Sequence, residues 1–409
     1  MLGNVIVGQS GGPTAVINAS LAGVIKTAQE LGAPEIYGMR FGIQGFLEGN
    51  YIDLKEQFRS EMDIELLKRT PSSYLGSCRF KLPEASVDAA PYEQIFKTLE
   101  ELQIAAFFYI GGNDSMDTIK KLSDYAASIQ SPIRFIGVPK TIDNDLDMTD
   151  HSPGFGSAAK YIVTSIKELI RDSLVYHVKQ ITIIEIMGRN AGWLTGAAAL
   201  AECEDCEGVD LLYLPEVPFH MDRFLDNIRS LMEKKRAIII AVSEGIRTED
   251  GNYVCDQEHN DNYVDPFGHK MSGGTAAYLA GICGKTFGCK TRFIELSTLQ
   301  RCAGHLTSLT DIREAYQVGG TAVSAAANGE TGKMVTLNRV SQNPYICTAG
   351  LCDVHQIANI EKTVPLEWIT ENGTNVSEEL KDYIRPLIQE ELNPYMTDGH
   401  PRHIVVDRK

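Results

Sequence analysis

Long apolar runs are missing from this chain. The longest break off well before the ~18 residues that a membrane-spanning helix needs, so no segment is a candidate span. Positive charge is also short: 38 Lys and Arg against 54 Asp and Glu leave a net charge of −16. That balance speaks against nucleic acid or an anionic membrane as partner, although a local basic pocket can still take an anionic substrate. The opening Met1–Val7 has no basic segment followed by an apolar block, so the expectation is a cytoplasmic chain without an export signal. Nine cysteines, an odd number scattered from Cys78 to Cys352, make no disulfide framework, and reduced thiols are expected. Cys203 and Cys206 form a lone C-x-x-C among Glu202, Glu204 and Asp205, without the second pair that a zinc site wants. Repeats of solenoid period and low-complexity stretches are absent. So are two common nucleotide signatures. No G-x-G-x-x-G follows the first strand, and Gly284-Lys285-Thr286 has Leu279 where a P-loop requires glycine.

What is present is a soluble-type composition and a repeated local pattern. At 409 residues the chain exceeds one ordinary core, so two domains are expected. Apolar strand-like runs alternate with amphipathic helical stretches, which implies parallel sheets with right-handed crossovers. The first unit reads as a strand at Asn4–Val7, a turn at Gly8–Thr14 and a helix over 15–31, with Pro13 and Thr14 suited to the helix entrance. Strand ends repeatedly deliver glycine or charge. Ser10-Gly11-Gly12 follows the first strand, Gly111-Gly112-Asn113-Asp114-Ser115 follows Ala105–Ile110, and Pro139-Lys140-Thr141-Ile142-Asp143-Asn144-Asp145 follows Phe135–Val138. Later come Met187-Gly188-Arg189, Ser243-Glu244-Gly245 and Gln300-Arg301. Ligands bind at the carboxyl ends of strands in α/β sheets, so these blocks converge on one predicted cleft.

Their chemistry is coherent. Glycine turns at helix starts let backbone N–H groups approach a phosphate. Carboxylates supply a metal ligand and a base, and Lys140 supplies a cation for developing charge. Each block has a plainer reading. Ser10-Gly11-Gly12 could be an ordinary tight turn, Asn113 and Asp114 could cap the helix that follows, and Lys140 with Asp143 and Asp145 could be a solvated cluster. Ile142, an apolar residue inside that charged turn, favours a site.

In this order the blocks resemble the phosphofructokinase family, specifically its pyrophosphate-dependent branch, from residue 4 to about residue 330. The carriers are Ser10-Gly11-Gly12, Ser77-Cys78-Arg79, Gly111-Gly112 with Ser115, Thr141–Asp145, Met187–Arg189, Ser243–Gly245 and Leu299–Arg301. The resemblance implies two doubly wound, Rossmann-like α/β domains with the active site in the cleft between them, plus a helical C-terminal extension. Residues 1–150, completed by part of 290–335, would hold the phosphoryl donor. Residues 151–290 would hold the sugar phosphate, and 336–409 would pack on the core as the extension.

Asp143 would take the proton from the sugar 1-hydroxyl, with Thr141 and Ile142 beside it. Met187, Gly188, Arg189, Glu244, Thr298 and Arg301 would hold fructose 6-phosphate, and Arg292 would reach the sugar phosphate of a neighbouring subunit. Gly12, Arg79, Lys81, Gly112 and Ser115 would contact pyrophosphate, while Asn113 and Asp145 would serve Mg²⁺. A homodimer or homotetramer follows from the shared sugar site.

Two positions bear on the donor. ATP-using relatives resemble Gly-Gly-Asp-Gly and Pro-Gly-Thr-Ile-Asp, whereas here Asp114 and Lys140 replace the inner glycines. A carboxylate at 114 would repel a nucleotide's α-phosphate, and the Lys140 ammonium would steady the leaving phosphate. Three departures touch other roles: Asn113 stands where relatives carry Asp, Gln180 where they carry Arg, and Thr298 where they carry His or Tyr. The last suggests an altered acceptor site, with sedoheptulose 7-phosphate as a second substrate. The rival readings are an ATP-dependent 6-phosphofructokinase, a NAD-kinase-like enzyme, and a sugar-phosphate-binding regulatory subunit without turnover.

Overall fold

Buried apolar strands joined through helices can pair in parallel only by crossing over the sheet, and this chain does so in two places. In the computed structural model, residues 3–257, 274–357 and 360–406 are described. A seven-stranded sheet runs in the order Tyr345–Asp353, Lys333–Gln342, Arg134–Pro139, Ile104–Gly111, Asn4–Gln9, Ile36–Met39, Tyr51–Asp53. The inner pairs are parallel and the outermost pair at each edge is antiparallel. A four-stranded sheet, parallel throughout, runs Lys290–Glu295, Gln180–Ile186, Ala237–Ser243, Leu211–Tyr213. Every residue of Gln180–Ile186 and of Ala237–Ser243 is buried. Strands covered on both faces read as continuous apolar runs for that reason.

Helices join the two sheets. Leu309–Ala327 packs on Ile17–Glu30 beside the first sheet. At its start, Asp311 accepts the N–H groups of Gly154 (2.9 Å) and Ser157 (2.8 Å), which satisfies donors at the N-terminus of Phe155–Leu174. No helix among the described residues is long and apolar enough to cross a membrane. None of the nine cysteines is in a disulfide, and Cys203 and Cys206 face each other across a two-residue hairpin.

The structure differs from the sequence expectations at identifiable points. The first helix begins at Ile17 rather than 15, and no side chain caps it; Thr14 Oγ1 instead accepts the N–H of Val16 at 3.3 Å. The plainer reading of Asn113 and Asp114 as caps, not the one favoured, also fails: the N-cap of Asn113–Ser128 is Gly112. The C-terminal extension, expected to be helical, opens with strand. Lys333–Gln342 and Tyr345–Asp353 form a hairpin, and the first of them joins the main sheet beside Arg134–Pro139. The buried run Met334-Val335-Thr336-Leu337 fits a strand covered on both faces, and Asn343-Pro344 makes the turn. Helix appears later, at Glu378–Ile384. Of the loop expected over 246–270, residues 258–270 lie outside the described residues.

Candidate active site

Loops at the carboxyl ends of the two sheets come together: the charge of Asp143, on the first, is felt at Glu244, on the second, and Asp143 in turn feels Arg189. On the first sheet, backbone bonds tie together blocks distant in sequence. Ser10 N donates to Ile110 O (2.9 Å), Gly11 N to Cys78 O (3.1 Å) and Ser77 Oγ to Gly11 O (2.5 Å). Lys140 N donates to Gly111 O (3.0 Å) and Lys140 Nζ to Gly12 O (2.7 Å). Gly12 lies close to Arg301: a Cβ there would stand 3.1 Å from a guanidinium nitrogen, a tight contact that a small shift of the arginine relieves.

Burial sets the electrostatics. Lys140 is 3% exposed, and its desolvation lowers its pKa to about 8, a fall that Arg301 and Arg79 deepen and that Asp143 and Asp145 oppose. Desolvation pushes Asp143 up to about 7; the charge of Asp145 adds to this, and Lys140, Arg301 and Arg189 work against it. Glu244 is likewise pushed up to about 7, first by burial and then by Asp143. A carboxylate poised near neutrality is suited to proton abstraction. Thr141 Oγ1 accepts the N–H of Asp143 at 3.0 Å and so shapes the turn that carries it.

Asn113 Nδ2 reaches Asp145 Oδ2 at 3.4 Å, while Asn113 Oδ1 and Asp145 Oδ1 are buried without a hydrogen-bond partner. Adjacent unsatisfied hard-oxygen acceptors are the donor set that a small divalent cation prefers, so these residues fit Mg²⁺.

On the second sheet, three bonds hold the loop after Gln180–Ile186. Gly188 N donates to Glu244 Oε1 (3.4 Å), Ser243 Oγ donates to Gly188 O (2.5 Å), and Gln300 Oε1 accepts Met187 N (3.4 Å). Gly245 admits this loop, because a Cβ there would lie 1.9 Å from Arg189 O. Arg189 Nε is buried and has no partner, leaving a cationic donor for an anionic ligand.

Not every residue singled out in the sequence joins this group. Ile142 is buried in the apolar cluster that includes Ala191 and Trp193, so its side chain anchors the loop and what it can offer a ligand is backbone. Ser115 is buried and packs back on Gly111. Arg79, Lys81, Asp114 and Thr298 are exposed, although the Arg79 charge is felt at Lys140 and Arg301. Arg292 stands apart on the edge strand Lys290–Glu295, ion-paired to Asp172 at 2.8 Å. Sequence reasoning assigned no role to Ser77, Ser243 or Gln300, which brace the glycine turns; their adjacency to the motifs was the available signal.

The chain has relatives along its whole length. The family profile described as Phosphofructokinase matches residues 4–326. The chain is 38% identical over 405 residues to pyrophosphate–fructose 6-phosphate 1-phosphotransferase of Halomonas elongata, covering 98% of this chain and 95% of that one. It is 37% identical over 409 residues to the Methylococcus capsulatus protein of the same name, covering 98% and 96%. The crystal structure of pyrophosphate-dependent phosphofructokinase from Marinobacter aquaeolei superposes with a TM-score of 0.87 at 36% identity, covering 100% of this chain and 98% of that one. By motif order, by fold and by similarity along its whole length, the chain belongs to the phosphofructokinase family.

Proposed function

We propose that this protein catalyses reversible, Mg²⁺-dependent phosphoryl transfer from pyrophosphate to the 1-hydroxyl of fructose 6-phosphate, giving fructose 1,6-bisphosphate and phosphate. A buried lysine beside a half-buried, near-neutral aspartate carries this reading. The sugar O1 attacks the terminal phosphorus of pyrophosphate, and the bond to the bridging oxygen breaks in line. Asp143 takes the hydroxyl proton. Lys140 donates to the departing phosphate, and Arg301, next to Gly12, spans the donor turn and the sugar side. Arg189 and Glu244 orient the sugar phosphate. Asn113 and Asp145 would hold Mg²⁺, which supplies charge neutralisation at the pyrophosphate oxygens. Donor binding falls to the first sheet and acceptor binding mainly to the second.

The pH profile tests the acid–base pair. Asp143 must be ionised, so kcat/KM rises as pH climbs through about 7. Lys140 must be charged, so kcat/KM falls again through about 8. A narrow bell is expected, and a flat profile from about pH 6 to about pH 9 would contradict the assignment.

A donor panel tests the cosubstrate: pyrophosphate supports turnover with fructose 6-phosphate and Mg²⁺, and ATP does not. Asp114→Gly weakens the exclusion of ATP without making it a good donor. Equal wild-type turnover with ATP would sink the donor assignment, and sugar binding with no turnover under any donor would favour the silent-subunit reading. A second copy completes the enzyme in this proposal. Tyr176, exposed beside the exposed Leu174, Val175 and Val178, lies against Arg292, and this region is suited to a partner subunit.

A further inference from the structure

The loop that carries Asp143 and Asp145 is not self-supporting. Between them sits Asn144, fully buried and with φ at 55°, a left-handed conformation unusual for a residue other than glycine. Such a conformation persists where the surroundings over-determine it. Asn144 Oδ1 accepts Ser152 N at 3.0 Å, which closes the loop on itself. Asn144 Nδ2 donates to the hydroxyl of Tyr383 at 2.9 Å, and that hydroxyl donates to Asp150 O. Tyr383 lies in the C-terminal extension, more than two hundred residues away in sequence.

A second part of the extension grips the same loop. Lys362 N donates to Asp145 O (2.9 Å), and Lys362 Nζ donates to Thr149 O (3.0 Å) and Asp150 O (2.7 Å). The same stretch also holds the sugar side. Lys362 O accepts the indole N–H of Trp193 at 2.9 Å, and Val364 N donates to Glu216 Oε1 (2.9 Å), which also accepts Gly192 N (2.8 Å). Gly192 and Trp193 lie just beyond the Met187–Arg189 loop.

We infer that residues 360–364 and Tyr383 form a strap that sets the position of the catalytic loop against the sugar-binding loop, with Tyr383 and Lys362 as positioning residues for Asp143 and Asp145. This role rests on the phosphoryl-transfer reading above. In-line transfer tolerates little error in the placement of base and metal ligand, and a displacement of about 1 Å can cost about a hundredfold in rate. The strap touches no reacting atom and acts through the backbone that bears them.

Tyr383→Phe removes one hydroxyl and keeps the ring packed on Trp193 and Trp368. In steady-state assays of fructose 1,6-bisphosphate formation from pyrophosphate, we expect kcat to fall about 10- to 100-fold, with KM for both substrates within about threefold of wild type. Lys362→Met, assayed in parallel, should show the same split. Thermal unfolding is recorded for both variants. A kcat within about twofold of wild type in folded variants would overturn the inference. So would losses shared between kcat and both KM values, or failure of both variants to fold, since either result means a structural role alone. Wild-type protein run alongside separates the two levels. If it does not turn over with pyrophosphate, the functional proposal fails; if it does and the variants match it, the strap fails.

Discussion

Asp143→Asn should lower kcat by about 10²–10⁴-fold while leaving KM for pyrophosphate and fructose 6-phosphate nearly unchanged. The amide keeps the size and most of the hydrogen bonding of the carboxylate but cannot take the proton. A companion effect has the opposite sign. The pKa of Asp143 is raised from 3.8 to about 7, first by desolvation and then by Asp145. Stability from such a group is present below its unfolded pKa and is lost as pH rises through the folded value. Wild type should therefore lose stability between about pH 4 and about pH 7, with the ionised base remaining a burden above that. Asp143→Asn should unfold at a higher temperature than wild type at about pH 8, and the difference should vanish near about pH 4. A variant that is less active yet more heat-resistant at alkaline pH is the signature of a base held in an unfavourable site. Activity within about tenfold of wild type would remove Asp143 from the base role.

Lys140→Met should cost about 10²–10³-fold in kcat, by analogy with removing a preorganised donor to a developing anion, with KM for pyrophosphate altered only a few-fold. Methionine approximates the length and volume of the buried stem but carries no charge. The ammonium donates to Gly12 O and stands close enough to Asp143 to hold the carboxylate's pKa down. The substitution should therefore also move the acid limb of kcat/KM upward, because one of the cations opposing the rise at Asp143 is lost. Equal losses in kcat and in pyrophosphate affinity would show Lys140 to be a ground-state binding group. An unmoved acid limb would separate it electrostatically from Asp143.

Both effects were legible as chemistry before they were legible as geometry. Lys140 and Asp143 follow the apolar run Phe135–Val138, and strand-end position alone sent them to the cleft. The first helix, read over 15–31, runs Ile17–Glu30 and so was readable to within a few residues. The short helix Glu61–Arg69 was not picked out, although Ser60 and Asp63 form a capping box that marks its start. The strand hairpin at 333–353 was misread as part of a helical tail, because its burial depends on joining a sheet whose other strands lie far upstream. Asp114 was read together with Lys140 as one filter, yet the two sit differently, exposed on the first turn of Asn113–Ser128 and buried beneath the Gly11-Gly12 turn.

Local order and chemical type at the motifs were settled by sequence alone: the strands Asn4–Gln9, Ile104–Gly111 and Arg134–Pro139, where glycine permits close approach, which acids and bases stand at strand ends. These depend on interactions within a few residues, and the alphabet encodes them directly. Tertiary structure decided the rest. The pKa values of Lys140 and Asp143 arise from burial and from charges remote in sequence, Arg79 and Arg301 at Lys140 and Arg189 and Arg301 at Asp143. The grip of Tyr383 and Lys362 on the catalytic loop joins residues more than two hundred positions apart, with no motif to announce it. Desolvation and Coulomb energies are functions of distance in space, and the folded backbone alone supplies those distances.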